Sequence, residues 1–364
     1  MSARPGLLWA PAGLTALAGA TAFALAVLAS HGWEPRAFIL ERPPEAPPEQ
    51  TWAIGYDGQQ AYALALDPRH AAQQLDRPAY RAMRIVYPML ARALALGQPQ
   101  AIPWTLLGVN LAAAALTAAL LGGMARARAV SGWSAFVLIA SFNYLIGLRL
   151  DLNEPLALAL ALAGVAAYER GRLAWAVGLF CGAALTKDLA LAFPLSLAAH
   201  ALVSGRRAHA GALAGLPLLA YLAWAACAAW WMGASPFDPT LARMTWVPFS
   251  GLLAVEGLET RVVIVLWAAA PALLAGAAAA WALVRSGLSG AGADAWMVLA
   301  HAVLIATLPL ATWVDPLAVL RVACGLIAAL VLWLARARPR ALRFAAALWT
   351  PSLLLAFLLP GFML

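Results

Sequence analysis

Long apolar runs recur along almost the whole chain, separated by short polar segments. Taken in order they span residues 12–30, 101–124, 131–149, 154–168, 173–187, 188–203, 211–232, 261–284, 295–313, 317–335 and 344–360. A bilayer-spanning helix needs roughly 20 consecutive apolar residues. Most of these runs approach that length, and the fourth and fifth are the shortest. They are continuous and rich in Ala and Leu, which favours helix, and the alternation of an outer-membrane barrel is absent. The pattern predicts an all-α polytopic membrane protein with about eleven transmembrane helices, residues 1–364 forming one membrane domain. The first run resembles the apolar part of a cleavable signal, with Val27-Leu28-Ala29 near its end, but its length suits a retained helix better.

Two polar segments interrupt the pattern. The longer, residues 31–100, opens with the Pro- and Glu-rich strip Glu41 to Glu49, which should be extended and solvated. It continues with two short amphipathic stretches, Tyr56–Leu66 and 79–96, the second carrying Arg81, Arg84 and Arg92. Neither is long enough to cross, and both suit helices lying along the membrane surface. The shorter segment, 233–260, carries Asp238, Arg243, Trp246, Glu256 and Glu259 and is placed to cover a site on the same face.

Composition supports this class: 64% of the residues are hydrophobic and 11% charged, with a mean hydropathy of +0.81. A soluble domain of this length needs far more charge outside. With the N-terminus in the cytoplasm, alternate loops hold twelve arginines against only Glu169 and Asp294, a net charge of +10. The opposite side then carries −2, and the two make up the total of +8. Positive-inside bias on this scale sets the orientation and explains the basic balance without a nucleic-acid partner. Cys181, Cys227 and Cys324 all lie in apolar runs and read as small hydrophobes. The five histidines have no metal spacing; His301, inside the ninth run, reads as a hydrogen-bonded packing residue.

Candidate chemistry lies on the acidic, outer side. Asp57, in Gly55-Tyr56-Asp57-Gly58-Gln59-Gln60-Ala61-Tyr62, has the setting of a placed reactive carboxylate, or of a turn Asp capping the next helix. Asp151-Leu152-Asn153-Glu154-Pro155 reads either as a well-formed helix start or as carboxylates of a polar site. Holding carboxylates at full depth in lipid costs roughly 2.5–3.5 kcal/mol each. Lys187, the only lysine, is either a local partner of Asp188 or a cation for a phosphate or sugar hydroxyl. Arg321, one turn inside the tenth run, either snorkels to the interface or holds a lipid-linked phosphate.

The segments Gly55-Tyr56-Asp57-Gly58-Gln59, Asp67-Pro68, Leu75 to Arg81 and Arg84 to Pro88 resemble bacterial integral-membrane glycosyltransferases of the GT-C superfamily. The later Asp151 to Pro155 and Thr186-Lys187-Asp188 resemble that superfamily too, as does the layout of spans. There is a more distant likeness to the mannosyltransferases of GPI-anchor assembly. The likeness covers most of the first 200 residues; beyond them only hydropathy matches. The family commonly carries Lys-Glu where this chain has Lys187-Asp188.

The resemblance implies a transferase taking a sugar from a polyprenyl-phosphate donor to a glycan, lipid or protein acceptor, at the outer face of a bacterial cytoplasmic membrane. Asp57 is then the base that takes the acceptor proton. Arg84, Arg81, Lys187 and Arg321 are the candidates for the donor phosphate, which leaves as an anion and needs no general acid. Tyr56, Gln59, Tyr62, Asp151, Asn153, Glu154 and Asp188 are the candidates for contacting sugar and acceptor. A single displacement predicts inversion at the anomeric carbon. No cofactor is expected, although Asp57, Asp151 and Glu154 together are a possible cation site. A transporter or lipid flippase is the rival reading, though no matched halves with broken helices are visible in the sequence. A catalytically inactive subunit of an envelope-polysaccharide complex is a third.

Overall fold

In the computed structural model, residues 8–39, 56–237, 245–359 and 362 are described. The Pro/Glu strip 41–49, Gly55, Asp238 and Arg243 lie outside them. All regular structure among the described residues is helical. In chain order the elements are α1 (Ala10–Ser30), α2 (Asp57–Leu66), α3 (Pro78–Ala82), α4 (Val86–Leu94), α5 (Pro99–Ala127), α6 (Phe136–Ile139), α7 (Phe142–Arg149) and α8 (Glu154–Glu169). They are followed by α9 (Leu173–Thr186), α10 (Asp188–Val203), α11 (Arg207–Met232), α12 (Leu258–Ser286), α13 (Ala293–Ala306), α14 (Pro316–Ala337) and α15 (Pro339–Leu358).

Six of these helices are long and apolar enough to cross a membrane: α1, α5, α11, α12, α14 and α15. The remaining predicted passes are shorter or interrupted. α7 and α8 count as one further span only as a pair, bent by 119°. α9, α10 and α13 are apolar but hold 14, 16 and 14 residues. Run 131–149 is cut at Ser141, whose hydroxyl accepts from the Tyr144 amide and caps α7. Polar residues bound the short helices: Asn153 precedes α8, which Glu154 opens, and Lys187 separates α9 from α10, which Asp188 opens.

The core lies around α14 and α5, whose apolar windows are 78% and 72% buried. α8 packs against α5 and α9, and α13 against α10, α12 and α14. α11 is the opposite case, with 22% buried and Leu219 and Trp230 facing outward. In water that face would be an aggregation site; in lipid it is the ordinary exterior. Trp33, Trp104 and Trp133 are exposed near helix ends, as an aromatic belt requires, whereas Trp313 is fully buried against Gly251.

The first polar segment supplies three short helices, and the predicted stretch 79–96 is two of them. Pro88 would place its ring against the Arg84 carbonyl in a continuous helix. The chain opens at residues 83–85 and restarts as α4. Arg92 of α4 donates to the Ala65 and Leu66 carbonyls, 2.7 and 2.8 Å, closing the end of α2. The Trp224 indole of α11 donates to the Ala82 carbonyl at the end of α3 (2.8 Å). These ties fix α2, α3 and α4 over the mouth of the bundle.

Candidate functional site

Tyr56 is extended and Asp57 opens α2, where the positive end of the helix favours a carboxylate. Its side chain does not cap the helix. One carboxylate oxygen instead takes Arg81. The other accepts from Arg84 at 2.7 Å and Arg321 at 2.8 Å, with the Lys187 ammonium 3.7 Å away. Glu154 is the second acid, 2.9 Å from Lys187 and 3.2 Å from Arg321. Arg84, Lys187 and Arg321 are all buried. The snorkelling alternative for Arg321 and the local pair of Lys187 with Asp188 are therefore not what these side chains do.

Two of the cations, Arg84 and Lys187, sit in breaks between helices; Arg81 and Arg321 lie near helix ends. Arg84 sits in the opening before α4, its guanidinium over the Tyr80 ring and donating to the Tyr80 hydroxyl at 2.7 Å. Arg81, near the end of α3, makes two 2.7 Å bonds to Asp76. Lys187 occupies the extended residue between α9 and α10. Arg321 follows the start of α14, which Pro316 opens and Asp315 caps through the Leu317 and Ala318 amides. The free oxygen of Asp315 accepts from the Tyr56 hydroxyl (2.9 Å), and Arg321 lies over the Tyr56 ring. Burial pushes the Tyr56 phenol well above its ordinary range, so it remains a donor.

Burial alone would raise the Asp57 carboxyl, but Arg321, Arg84, Arg81 and Lys187 outweigh it and hold it well below the usual carboxylate range. Because the folded value is depressed, the stability from this pairing is present above an ordinary Asp pKa of about 4. It is lost only as pH falls from there through the folded value.

Two hollows flank the cluster. The larger, about 440 Å³ with its open mouth, has Glu154, Lys187 and Arg321 at one end and apolar walls beyond, among them Leu158, Phe193, Leu304 and Val322. His301 closes its far part, its Nδ1 bonded to the Met297 carbonyl at 2.8 Å and its ring against Gly325. The smaller hollow, about 220 Å³, is lined by Asp57, Gln60, Arg81, Arg84 and Asn153. Thus the charged cluster is a wall between an apolar hollow and a polar one.

Of the residues predicted from the sequence, Asp57, Arg81, Arg84, Lys187, Arg321 and Glu154 converge in the cluster, and Tyr56 and Asn153 border it. Asn153 holds its place by donating to the Thr186 carbonyl at 3.2 Å. Asp188 is half-buried on the Arg84 side. Asp151, Gln59 and Tyr62 are placed differently. Asp151 is wholly buried behind the site, its Oδ1 accepting from Tyr87 (3.0 Å) and Asn110 (3.1 Å). The proposed cation trio therefore does not assemble: Asp151 is turned away, and Asp57 and Glu154 are each held by cations. Tyr62 lies beneath the Arg36 guanidinium, 5.9 Å away. Residues 57, 60, 61 and 64 share the helix face toward the polar hollow, so Gln60 lines it where Gln59 does not.

Sequence reasoning missed four participants: Gln60, Asp76, Tyr80 and the pairing of Asp315 with Tyr56. Spacing from Asp57 points to Gln60 at the third residue on. Tyr80 stands four residues before Arg84, which it meets; nothing local signals Asp76 or the pairing of Asp315 with Tyr56. In the segment 233–260, the described part keeps Trp246, Glu256 and Glu259 exposed and ties Phe249 to the Ala306 carbonyl at 2.7 Å. Compared with protein-family models, with curated proteins and with solved structures, the chain matches none of them.

Proposed function

We propose that the chain is an inverting glycosyltransferase of the GT-C type, moving a sugar from a polyprenyl-phosphate donor to a hydroxyl acceptor at the outer face of a bacterial cytoplasmic membrane. The observation that carries this reading is the wall between two hollows of opposite character. An isoprenoid phosphate suits the apolar hollow, with its phosphate at Lys187 and Arg321. A hydroxylated acceptor suits the polar hollow, on which Asp57 opens. In the reaction the acceptor oxygen forms a bond to the anomeric carbon as the bond from that carbon to the phosphate oxygen breaks. The acceptor proton passes to Asp57, and the lipid phosphate departs as an anion neutralised by the cations. General-base help of this kind contributes typically ~10²–10⁴-fold, and preorganised cations stabilise the charge arriving on the leaving group.

The test is transfer by the purified, reconstituted protein from a panel of polyprenyl-phosphate sugars, with Asp57→Asn in parallel and the anomeric configuration of the product determined. Transfer with inversion that collapses in folded Asp57→Asn supports the reading. Translocation of a lipid or solute that survives Asp57→Asn would overturn it in favour of a transporter.

A further inference from the structure

A carboxylate can act as a base only if it has a lone pair free to meet the incoming proton. Oδ2 of Asp57 has none to spare. Its two lone-pair sites are taken by Arg84 and Arg321, with the Lys187 ammonium close by, while Oδ1 is held by Arg81 alone. The same pairing makes it an unusually weak base. As it stands, the group is engaged as a counter-ion.

Every charged or titratable group facing it must enter the balance. From the segment carrying α2 come Asp57 and Tyr56; around α3 and the opening before α4 are Asp76, Tyr80, Arg81 and Arg84. α8 contributes Glu154, the junction of α9 and α10 contributes Lys187 and Asp188, and the start of α14 contributes Asp315 and Arg321. With Arg77 beside Asp76, five cations thus face five carboxylates, a balanced cluster before any ligand arrives. A phosphodiester adds one negative charge. Its oxygens compete for Lys187 and Arg321, the two cations that line the apolar hollow and also approach the same oxygen of Asp57.

We infer that the donor's anionic phosphate is itself what converts Asp57 from a counter-ion into a base, by drawing Lys187 and Arg321 off Oδ2. This rests on the reading of those two cations as the phosphate site. It makes binding ordered, donor before acceptor, because the carboxylate oxygen that meets the acceptor hydroxyl is freed only once the phosphate is seated.

The experiment uses the full chain in detergent and methyl farnesyl phosphate, a diester with one fixed charge and no titration of its own near neutrality. Calorimetric binding in buffers of different ionisation heat counts the protons taken up. Uptake should be near zero at about pH 7, set in as the pH falls toward about 5, and approach one proton only below about pH 4, through the ordinary range of a carboxylate freed of its cations. Asp57→Asn should abolish the uptake and bind the probe about 10-fold or more tightly, because a competing carboxylate has gone. Binding without uptake by the unmodified protein at every pH would overturn the inference, and that measurement needs no variant to fold. Uptake persisting in folded Asp57→Asn would move the proton to Glu154 and equally overturn it. Absence of binding by either protein would remove the phosphate site itself, and the transferase reading with it.

Discussion

Two ionic clusters stand at opposite ends of α8, and they differ in what surrounds them. At the Glu154 end, four cations crowd one carboxylate between two hollows. At the Glu169 end, Arg128 pairs with Glu169 and lies 3.3 Å from Asp294, and Arg336 reaches Asp294 from the other side at 3.2 Å. That second cluster has two charges of each sign, and neither hollow reaches it. It ties together the ends of α5, α8, α13 and α14, helices that also pack against one another. Each cluster also draws only on segments that the alternating charge pattern assigns to one side. Acids and arginines meet at both ends, so charge alone does not mark a site; buried cations converging on one carboxylate beside open space do.

Four substitutions sharpen or break this contrast. The largest effect belongs to Asp57→Asn, which should cut sugar transfer by roughly 10²–10⁴-fold in a folded protein, measured as product per turnover time. At the other end, Asp294→Asn should act on stability, removing about 2–3 kcal/mol as Arg128 loses one of its two acids, visible in detergent melting. The rate per folded molecule should stay as it was. Loss of transfer there without loss of stability would erase the distinction between the clusters. Lys187→Met should raise the donor KM by about 10–100-fold, the equivalent of the roughly 1.5–3 kcal/mol of a hydrogen bond to a charged group. Arg336→Ala should do least: its side chain is 48% exposed, and such pairs contribute about 0–1 kcal/mol. A large melting shift from it would show the second cluster to be more tightly sealed than its geometry indicates.

The sequence announced the class of fold through its apolar runs and its sparse, one-sided charge. It overstated the number of long spans, because an apolar helix of 14 or 16 residues and a full crossing look alike in hydropathy. Much of the site was legible too, since a charged residue at the edge of an apolar run has few cheap places to be. What stayed hidden depended on backbone geometry. Asp151 takes a left-handed conformation, φ 53°, that turns its side chain inward toward Tyr87 and Asn110. Gly58 lets α2 sit directly on the Leu150 carbonyl, which would lie 2.2 Å from an added Cβ. Neither requirement can be read from one-dimensional pattern, yet together they set where Asp57 stands.

The shortness of α8 has a consequence for where any reaction would take place. Its 16 residues at about 1.5 Å each span roughly 24 Å, while the hydrocarbon layer of a typical bilayer is about 30 Å thick. Acids at both of its ends cannot then both stand at the headgroups of an unperturbed membrane; either the lipid thins around the protein or one end is recessed beneath the surface. If the recessed end is that of Glu154, an isoprenoid substrate would not have to rise out of the bilayer to be used. Its partner would have to descend.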